Sequence, residues 1–507
     1  MRFAKNISEL IYFSAESFSN EAFIRFLDNK NKISFSELEI LKNKFHNYLN
    51  DLKIKQKQKI AILFDNSPLL ILFYLLIPGS FRVFVPLNPN GGNKEIEYIL
   101  SLTKPALLIF DEKLSFKIKN ANIKKIKVKD QGLFLNELQK TKIRKKIKFY
   151  KKNVIAQILF TSGSTGDPKG VPTSHENIIC NLKGIINRLK FPSKNKNFLS
   201  CTPLFHNSGQ TVPTLTPLAL GGTTCTIPPL QGLGNFVDIC NKYKINYTLL
   251  MPTHVNYLNS LNKKKKFKYM DFICVGGAKL EKKNQKNFEK KFNTKIYTDY
   301  GLTETSSIAA SEGPLSYKYG SVGKPLYNNK ILVKKFKNKK YGEILISGKN
   351  VFNEYYKNKE ETKNKLIKNF LHTGDIGWFD NDGFLFIKDR VDNMINVSGE
   401  NIYPSEIERY TNNFFNIKLS VLLGIKNPIT DNKLCLIYES KNGKIINNSK
   451  IISFLSKKIA KFKIPKHFFE IKQIGLKEIP KAPNRKILRK KLKFHFDFFV
   501  KNSKIFL

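Results

Sequence analysis

A chain of 507 residues exceeds one compact core, so two or more domains are expected. With 41% hydrophobic and 25% charged residues the composition is globular, which excludes a disordered polymer. The formal charge of +48 comes from lysines spread along the chain among Asn, Ile and Phe; it reads as a bias that fills solvated positions rather than one anion-binding face. No specific nucleic acid is expected, because no set of stacking aromatics falls on one sheet, while charge leaves peripheral membrane contact as a possibility. Cys180, Cys201, Cys225, Cys240, Cys274 and Cys435 lie far apart without metal spacing, which suits free thiols in a reducing cytoplasm. The N-terminus shows no signal-type apolar core.

Residues 35–55 have helical spacing, and 59–64 read as a buried strand. The apolar run 69–77 is too short to cross a bilayer and reads as a buried helix closed by Pro78-Gly79. Strands are expected at 82–87 and 106–110, then at 222–227, 246–251 and 271–275, with helices near 177–189 and 234–243. This alternation indicates an α/β fold of largely parallel sheets. From Tyr341 a smaller β-rich module begins, with strands at 343–346 and 384–387. After Arg390 comes a smaller α+β tail, giving domains 1–390 and 391–507 with the boundary near 388–393.

Between the two α/β halves lies Thr161-Ser162-Gly163-Ser164-Thr165-Gly166-Asp167-Pro168-Lys169-Gly170. Glycines turn backbone N–H groups toward one point and let a large anion approach, the hydroxyls add donors, and Lys169 adds a point charge. The stretch therefore reads as a phosphate loop. It is not the common Gly-Lys-Ser/Thr type, because Gly323-Lys324, Gly348-Lys349 and Gly443-Lys444 are followed by Pro, Asn and Ile. Downstream, Tyr300 could stack on a purine, Thr303 could donate to phosphate, and Glu304 could bind Mg²⁺. Asp375 sits on an apparent tight turn at Gly374, where a carboxylate can take two hydrogen bonds from a ribose diol.

These segments, with Val85-Pro86-Leu87-Asn88-Pro89, Pro203-Leu204-Phe205-His206, Val275-Gly276-Gly277-Ala278, Gly342-Glu343-Ile344, Lys461-Phe462-Lys463-Ile464-Pro465 and Pro480 to Arg489, occur in an order that resembles the acyl-adenylate-forming enzymes. The resemblance spans almost the whole chain. It implies that a small-molecule carboxylic acid attacks the α-phosphorus of ATP to give acyl-AMP, and that coenzyme A then takes the acyl group. It further implies β/γ-phosphates on the 161–170 loop, adenine against Gly276, Gly277 and Ala278 with Tyr300 on its face, and Thr303 and Glu304 on the α-phosphate and metal. Asp375 and Arg390 would hold the ribose. Lys486 would bridge carboxylate and phosphates, Asp392 would be the hinge of a mobile tail, and Ser398, Gly399 and Glu400 would line the thiol tunnel.

Two positions depart from the resemblance: Arg485 and Asp389 stand where glycine is usual. His206 occupies the place where amino-acid-activating relatives carry Asp, and a buried ammonium without a partner is costly, so α-amino acids are disfavoured. His206 resembles the gating histidine of acyl-CoA synthetases; its plainer reading is a core histidine. Residues 206–220 should line the acyl pocket, where Asn207 and Gln210 hint at a polar group. Two alternatives stand beside the CoA ligase: loading of a separate carrier protein's phosphopantetheine, and a basic nucleic-acid-binding or scaffold protein that has lost catalysis.

Overall fold

The computed structural model describes residues 4–503 apart from 28–30, 119–121, 148–152, 162–167, 195, 228–231, 262–264, 398–399, 428–430, 460 and 483–486. The chain divides into two compact units. The first comprises Met1–Val333, Leu345–Thr373 and Phe379–Phe386, and the second Lys334–Ile344, Gly374–Trp378 and Ile387–Leu507.

Two sheets organise the first unit. One orders its strands Lys125–Val128, Leu107–Asp111, Lys59–Leu63, Val83–Pro86, Ile155–Thr161 and Lys169–Ser174, parallel except for the last pair. The other runs Lys324–Pro325, Ala310–Ser311, Lys295–Tyr300, Phe272–Val275, Tyr247–Leu250, Asn197–Ser200, Thr223–Thr226, Ala22–Arg25 and Lys32–Ser34. It is parallel through its centre and antiparallel at both ends. Short, continuously apolar strands such as Phe272–Val275 are buried on both faces, as helix-covered parallel sheets require. The strands expected at 59–64, 82–87, 106–110, 222–227, 246–251 and 271–275 are all present, whereas Ala22–Arg25, Lys32–Ser34, Lys125–Val128 and Asn197–Ser200 are not among those expected.

The apolar helix Pro68–Gly79 is buried from Leu69 to Gly79, so it has no polar face to read. Ser67 caps it, its Oγ accepting from the Leu70 N–H at 3.2 Å. Contrary to expectation, Pro78 and Gly79 do not close the helix from outside but lie within its last turn. There Ile77, Leu76 and Pro78 carbonyls still accept from the Ser80 N–H, so the loss of one proline N–H is tolerated. Helix Phe35–Asp51 opens on a Ser34/Glu37 capping box, and helix His175–Leu189 on Ser174 with Asn177.

The strands between residues 329 and 390 form a separate sheet in the order Asn329–Lys335, Gly342–Gly348, Phe370–Phe379, Leu366–Ile367, with Leu385–Arg390 on Phe370–Phe379. In the second unit Ile417–Asn427, Asp431–Ser440 and His467–Glu470 form a three-stranded sheet. Helices Pro404–Thr411, Asn448–Ser456 and Arg489–Ser503 accompany it.

Candidate active site

Strands Lys295–Tyr300, Phe272–Val275, Tyr247–Leu250 and Asn197–Ser200 are adjacent and parallel, so their carboxyl ends share one edge. Open α/β sheets bind ligands outside that edge. His206, Gly276, Gly277, Ala278, Tyr300, Thr303 and Glu304 all end or follow these strands. Val275 pairs with Thr298, which sets Gly276 beside Asp299; a Cβ on Gly276 would stand 3.4 Å from the Asp299 Cβ. Gly277 and Ala278 are exposed. Tyr300 closes its strand and is 9% exposed. A Cβ at Gly301 would lie 1.7 Å from the Ser307 carbonyl oxygen, so only glycine lets the chain double back into the 3-10 turn Thr303–Thr305.

Thr161 and Lys169 pair across the hairpin that carries the phosphate loop, fixing both of its ends. Ser162, Gly163, Ser164, Thr165 and Gly166 lie outside the described residues. Lys169 Nζ sits 2.5 Å from Glu361 Oε1 and 5.9 Å from the centroid of the Tyr355 ring. Tyr355 in turn donates its hydroxyl to Glu304 Oε1 at 2.7 Å. The structure thus gathers Lys169 and Glu304 on one tyrosine. Tyr355 and Glu361 were not singled out from the sequence; the acidic run at 360–361 and the pair Tyr355-Tyr356 resemble ordinary surface and turn residues there.

His206 is half-buried, with its ring centroid 4.5 Å from that of Phe205. Burial lowers its pKa to about 4, so the ring is neutral at physiological pH. Asn207 and Gln210 are both partly tied into the fold, while Gln210 Oε1 is buried with no hydrogen-bond partner among the described residues. Gln157 donates to Asn207 Oδ1 at 3.4 Å, and Asn207 Nδ2 donates to the Thr303 carbonyl at 3.4 Å. Gln210 Nε2 is spent on the Leu204 carbonyl at 2.9 Å. Thr211, Thr214 and Thr216 return their hydroxyls to backbone carbonyls of their own helical segment.

In the second unit Arg390 donates from Nη1 to Asp375 Oδ1 at 3.0 Å. Asp375 lies inside the strand Phe370–Phe379, not on a turn; the turn-like signal comes from Gly374, whose φ of +72° kinks the strand in a conformation that glycine tolerates. Asp389, which stands where glycine is usual, has a structural use. Its Oδ2 accepts from the Ser405 N–H at 3.0 Å and its Oδ1 from the Arg390 N–H at 2.7 Å and Asn393 at 3.1 Å. It thereby caps helix Pro404–Thr411 from a distant part of the sequence. Asp392 lies in the 3-10 turn Val391–Asn393, and Glu400 begins the strand Glu400–Ile402.

Lys481 bridges Ile487, and the Leu488 N–H donates to the Pro480 carbonyl at 2.8 Å, so the two flanks of the lysine loop form a stem. Arg489 anchors that stem through Glu408 at 2.6 and 2.8 Å and the Leu422 carbonyl at 2.9 Å. Arg485 and Lys486 lie outside the described residues, as do Ser398 and Gly399.

Among the described residues no group of three or more His, Cys, Asp or Glu side chains could hold a metal ion. A single carboxylate with one free oxygen suits Mg²⁺, which keeps few protein ligands and binds chiefly phosphate oxygens. Glu304 fits: Oε1 takes the tyrosine hydroxyl, and Oε2 has no hydrogen-bond or ion-pair partner among the described residues.

The family model for AMP-binding enzymes matches residues 13–356. The chain is 32% identical over 348 residues to a 2-succinylbenzoate–CoA ligase of Staphylococcus epidermidis, covering 68% of this chain and 71% of that one. It is 28% identical over 492 residues to the 4-coumarate–CoA ligase-like 8 of Arabidopsis thaliana, covering 91% and 87%. Among solved structures it is similar to the o-succinylbenzoate coenzyme A synthetase of Bacillus subtilis in complex with ATP and magnesium ion. That match has a TM-score of 0.83 and 22% identity, over 96% of this chain and 99% of that one.

Proposed function

We propose that this chain, which belongs to the AMP-binding enzyme family, is a CoA ligase for an aromatic or arylalkyl carboxylic acid that carries no α-ammonium group. The observation that carries this reading is the set of His206, Gly276 to Ala278, Tyr300, Thr303 and Glu304 at the carboxyl ends of adjacent parallel strands. A neutral His206 beside Phe205, with the uncharged amides of Asn207 and Gln210, leaves the acyl side without a fixed charge to meet an ammonium.

The acid's carboxylate oxygen attacks the α-phosphorus of ATP, the bond to the bridging oxygen breaks, and pyrophosphate leaves. The thiol sulfur of CoA then attacks the acyl carbon and AMP departs. Two anions must meet in the first step, so catalysis depends on donors fixed before the reaction. In our reading the hydroxyls and amides of 161–166, with Lys169, hold the β/γ-phosphates. Thr303 donates to the α-phosphate. Gly276, Gly277 and Ala278 take the adenine edge under Tyr300, and the paired Asp375 and Arg390 take the ribose. Magnesium, when bound, draws charge from the departing pyrophosphate, with Glu304 as its protein ligand. Lys486 neutralises carboxylate and phosphate together. Asp392 is the pivot that withdraws it, after which Ser398, Gly399 and Glu400 line the path of the thiol.

We place the protein in the cytoplasm. All six cysteines are free, five of them buried, and burial pushes thiols such as Cys201 up to about 11, which keeps them inert. Among the described residues no helix is long and apolar enough to cross a membrane. ATP–pyrophosphate exchange over a panel of benzoic, cinnamic, short aliphatic and α-amino acids tests the substrate class. Exchange confined to short aliphatic or α-amino acids would contradict it. Exchange without thioester formation from CoA would point to a carrier-protein acceptor.

A further inference from the structure

A single surface segment of the first unit, residues 350–362, grips both motifs that the first half-reaction needs. Asn350 Nδ2 donates to the Thr305 carbonyl at 2.9 Å and Ser306 Oγ donates to the Asn350 carbonyl at 2.7 Å, at the end of the 303–305 turn. The Phe352 N–H donates to the Glu304 carbonyl at 2.8 Å, and the Tyr356 N–H to the Gly170 carbonyl at 2.8 Å. Between these anchors Tyr355 is 5% exposed and packed edge-on against Phe352, with ring centroids 4.7 Å apart. Its hydroxyl reaches one oxygen of Glu304, while its ring and Glu361 flank the Lys169 ammonium. A glutamate on a short turn would otherwise sample several rotamers. One buried phenol donor fixes the carboxylate plane and leaves the second oxygen for a cation.

We propose that Tyr355 is a positioning residue for acid activation: its hydroxyl orients Glu304, and its ring together with Glu361 holds Lys169, so that the metal carboxylate and the phosphate-loop lysine are set as one unit. This rests on the reading of Glu304 as metal ligand. Residues that orient a ligand act through it, and their loss typically lowers metal affinity or rate about 10- to 100-fold.

The test compares Y355F, E304Q and the double variant. Binding of Mn²⁺ in the presence of ATP is read by electron paramagnetic resonance, beside pyrophosphate exchange and CoA transfer from supplied acyl-AMP. Y355F should lower Mn²⁺ affinity and exchange by about tenfold. It should leave CoA transfer unchanged, and adding Y355F to E304Q should cost nothing more. A purely packing role would lower all activities together, with losses that add to those of E304Q. That additivity overturns the proposal even if Y355F melts at a lower temperature, and so does unchanged Mn²⁺ binding in Y355F where E304Q has lost it. Unchanged Mn²⁺ binding in E304Q itself would instead overturn the reading of Glu304, and the proposal with it.

Discussion

Arg489→Ala should unlock the base of the lysine loop. Arg489 makes a two-pronged contact with Glu408, and its side chain and that of Glu408 are only 19% and 10% exposed. Glu408 also accepts from the Leu422 N–H at 2.7 Å, so removing the guanidinium leaves a buried carboxylate with one backbone donor and the Leu422 carbonyl without its partner. Breaking one side of a buried pair costs about 3–5 kcal/mol. With a urea slope of about 2 kcal/mol/M, the transition of the second unit should move down by roughly 2 M. Arg489→Lys keeps the charge but not the fork, and should lose about 1–2 kcal/mol. Urea titration followed by circular dichroism measures both, and pyrophosphate exchange should fall in step with the loosened stem. If Arg489→Ala moved the transition by less than about 0.5 M, the pair would be a screened surface contact and the anchoring argument would be refuted.

Lys486→Ala should abolish acyl-AMP formation yet still pass supplied acyl-AMP to CoA; equal loss of both, measured by rapid-quench assay, would contradict the two-pose scheme. Asp389→Ala removes the remote cap on helix Pro404–Thr411 and should cost about 0.5–2 kcal/mol, with no change in ATP affinity by calorimetry. A pH effect is expected near the strand end. Burial raises Asp299 to about 8 and Glu312 to about 7. A carboxyl raised on folding contributes stability that is complete below its unfolded value and lost as pH rises through the folded one. Urea midpoints should therefore decline between about pH 4 and 8. Asp299→Asn should flatten that decline, and an unchanged slope in the variant would count against it.

Much of the fold was legible because buried parallel strands are short apolar runs, such as Leu107–Asp111, between polar helices. What failed did so for local reasons. Pro78-Gly79 resembles a helix stop, but a proline in a last turn forfeits one hydrogen bond and little else. His372-Thr373-Gly374-Asp375 resembles a turn, yet one glycine with positive φ is accommodated as a kink within a strand. Asn207 shows that sequence does not reveal which way an amide faces: its side chain links Gln157 to the Thr303 carbonyl. The motif residues could be named from their order along the chain. Tyr355 and Glu361 could not, and neither could the cap that Asp389 provides, because their work lies in contacts between segments 16 to 192 positions apart.

The account is tested most directly by following oxygen from the acid. A substrate acid labelled with oxygen-18 in its carboxylate is turned over with ATP, magnesium and CoA, and the products are weighed by mass spectrometry. Attack on the α-phosphorus followed by thiol transfer predicts one labelled oxygen in AMP and none in pyrophosphate. Label in inorganic phosphate with ADP as the co-product, or unlabelled AMP alongside thioester, would contradict it.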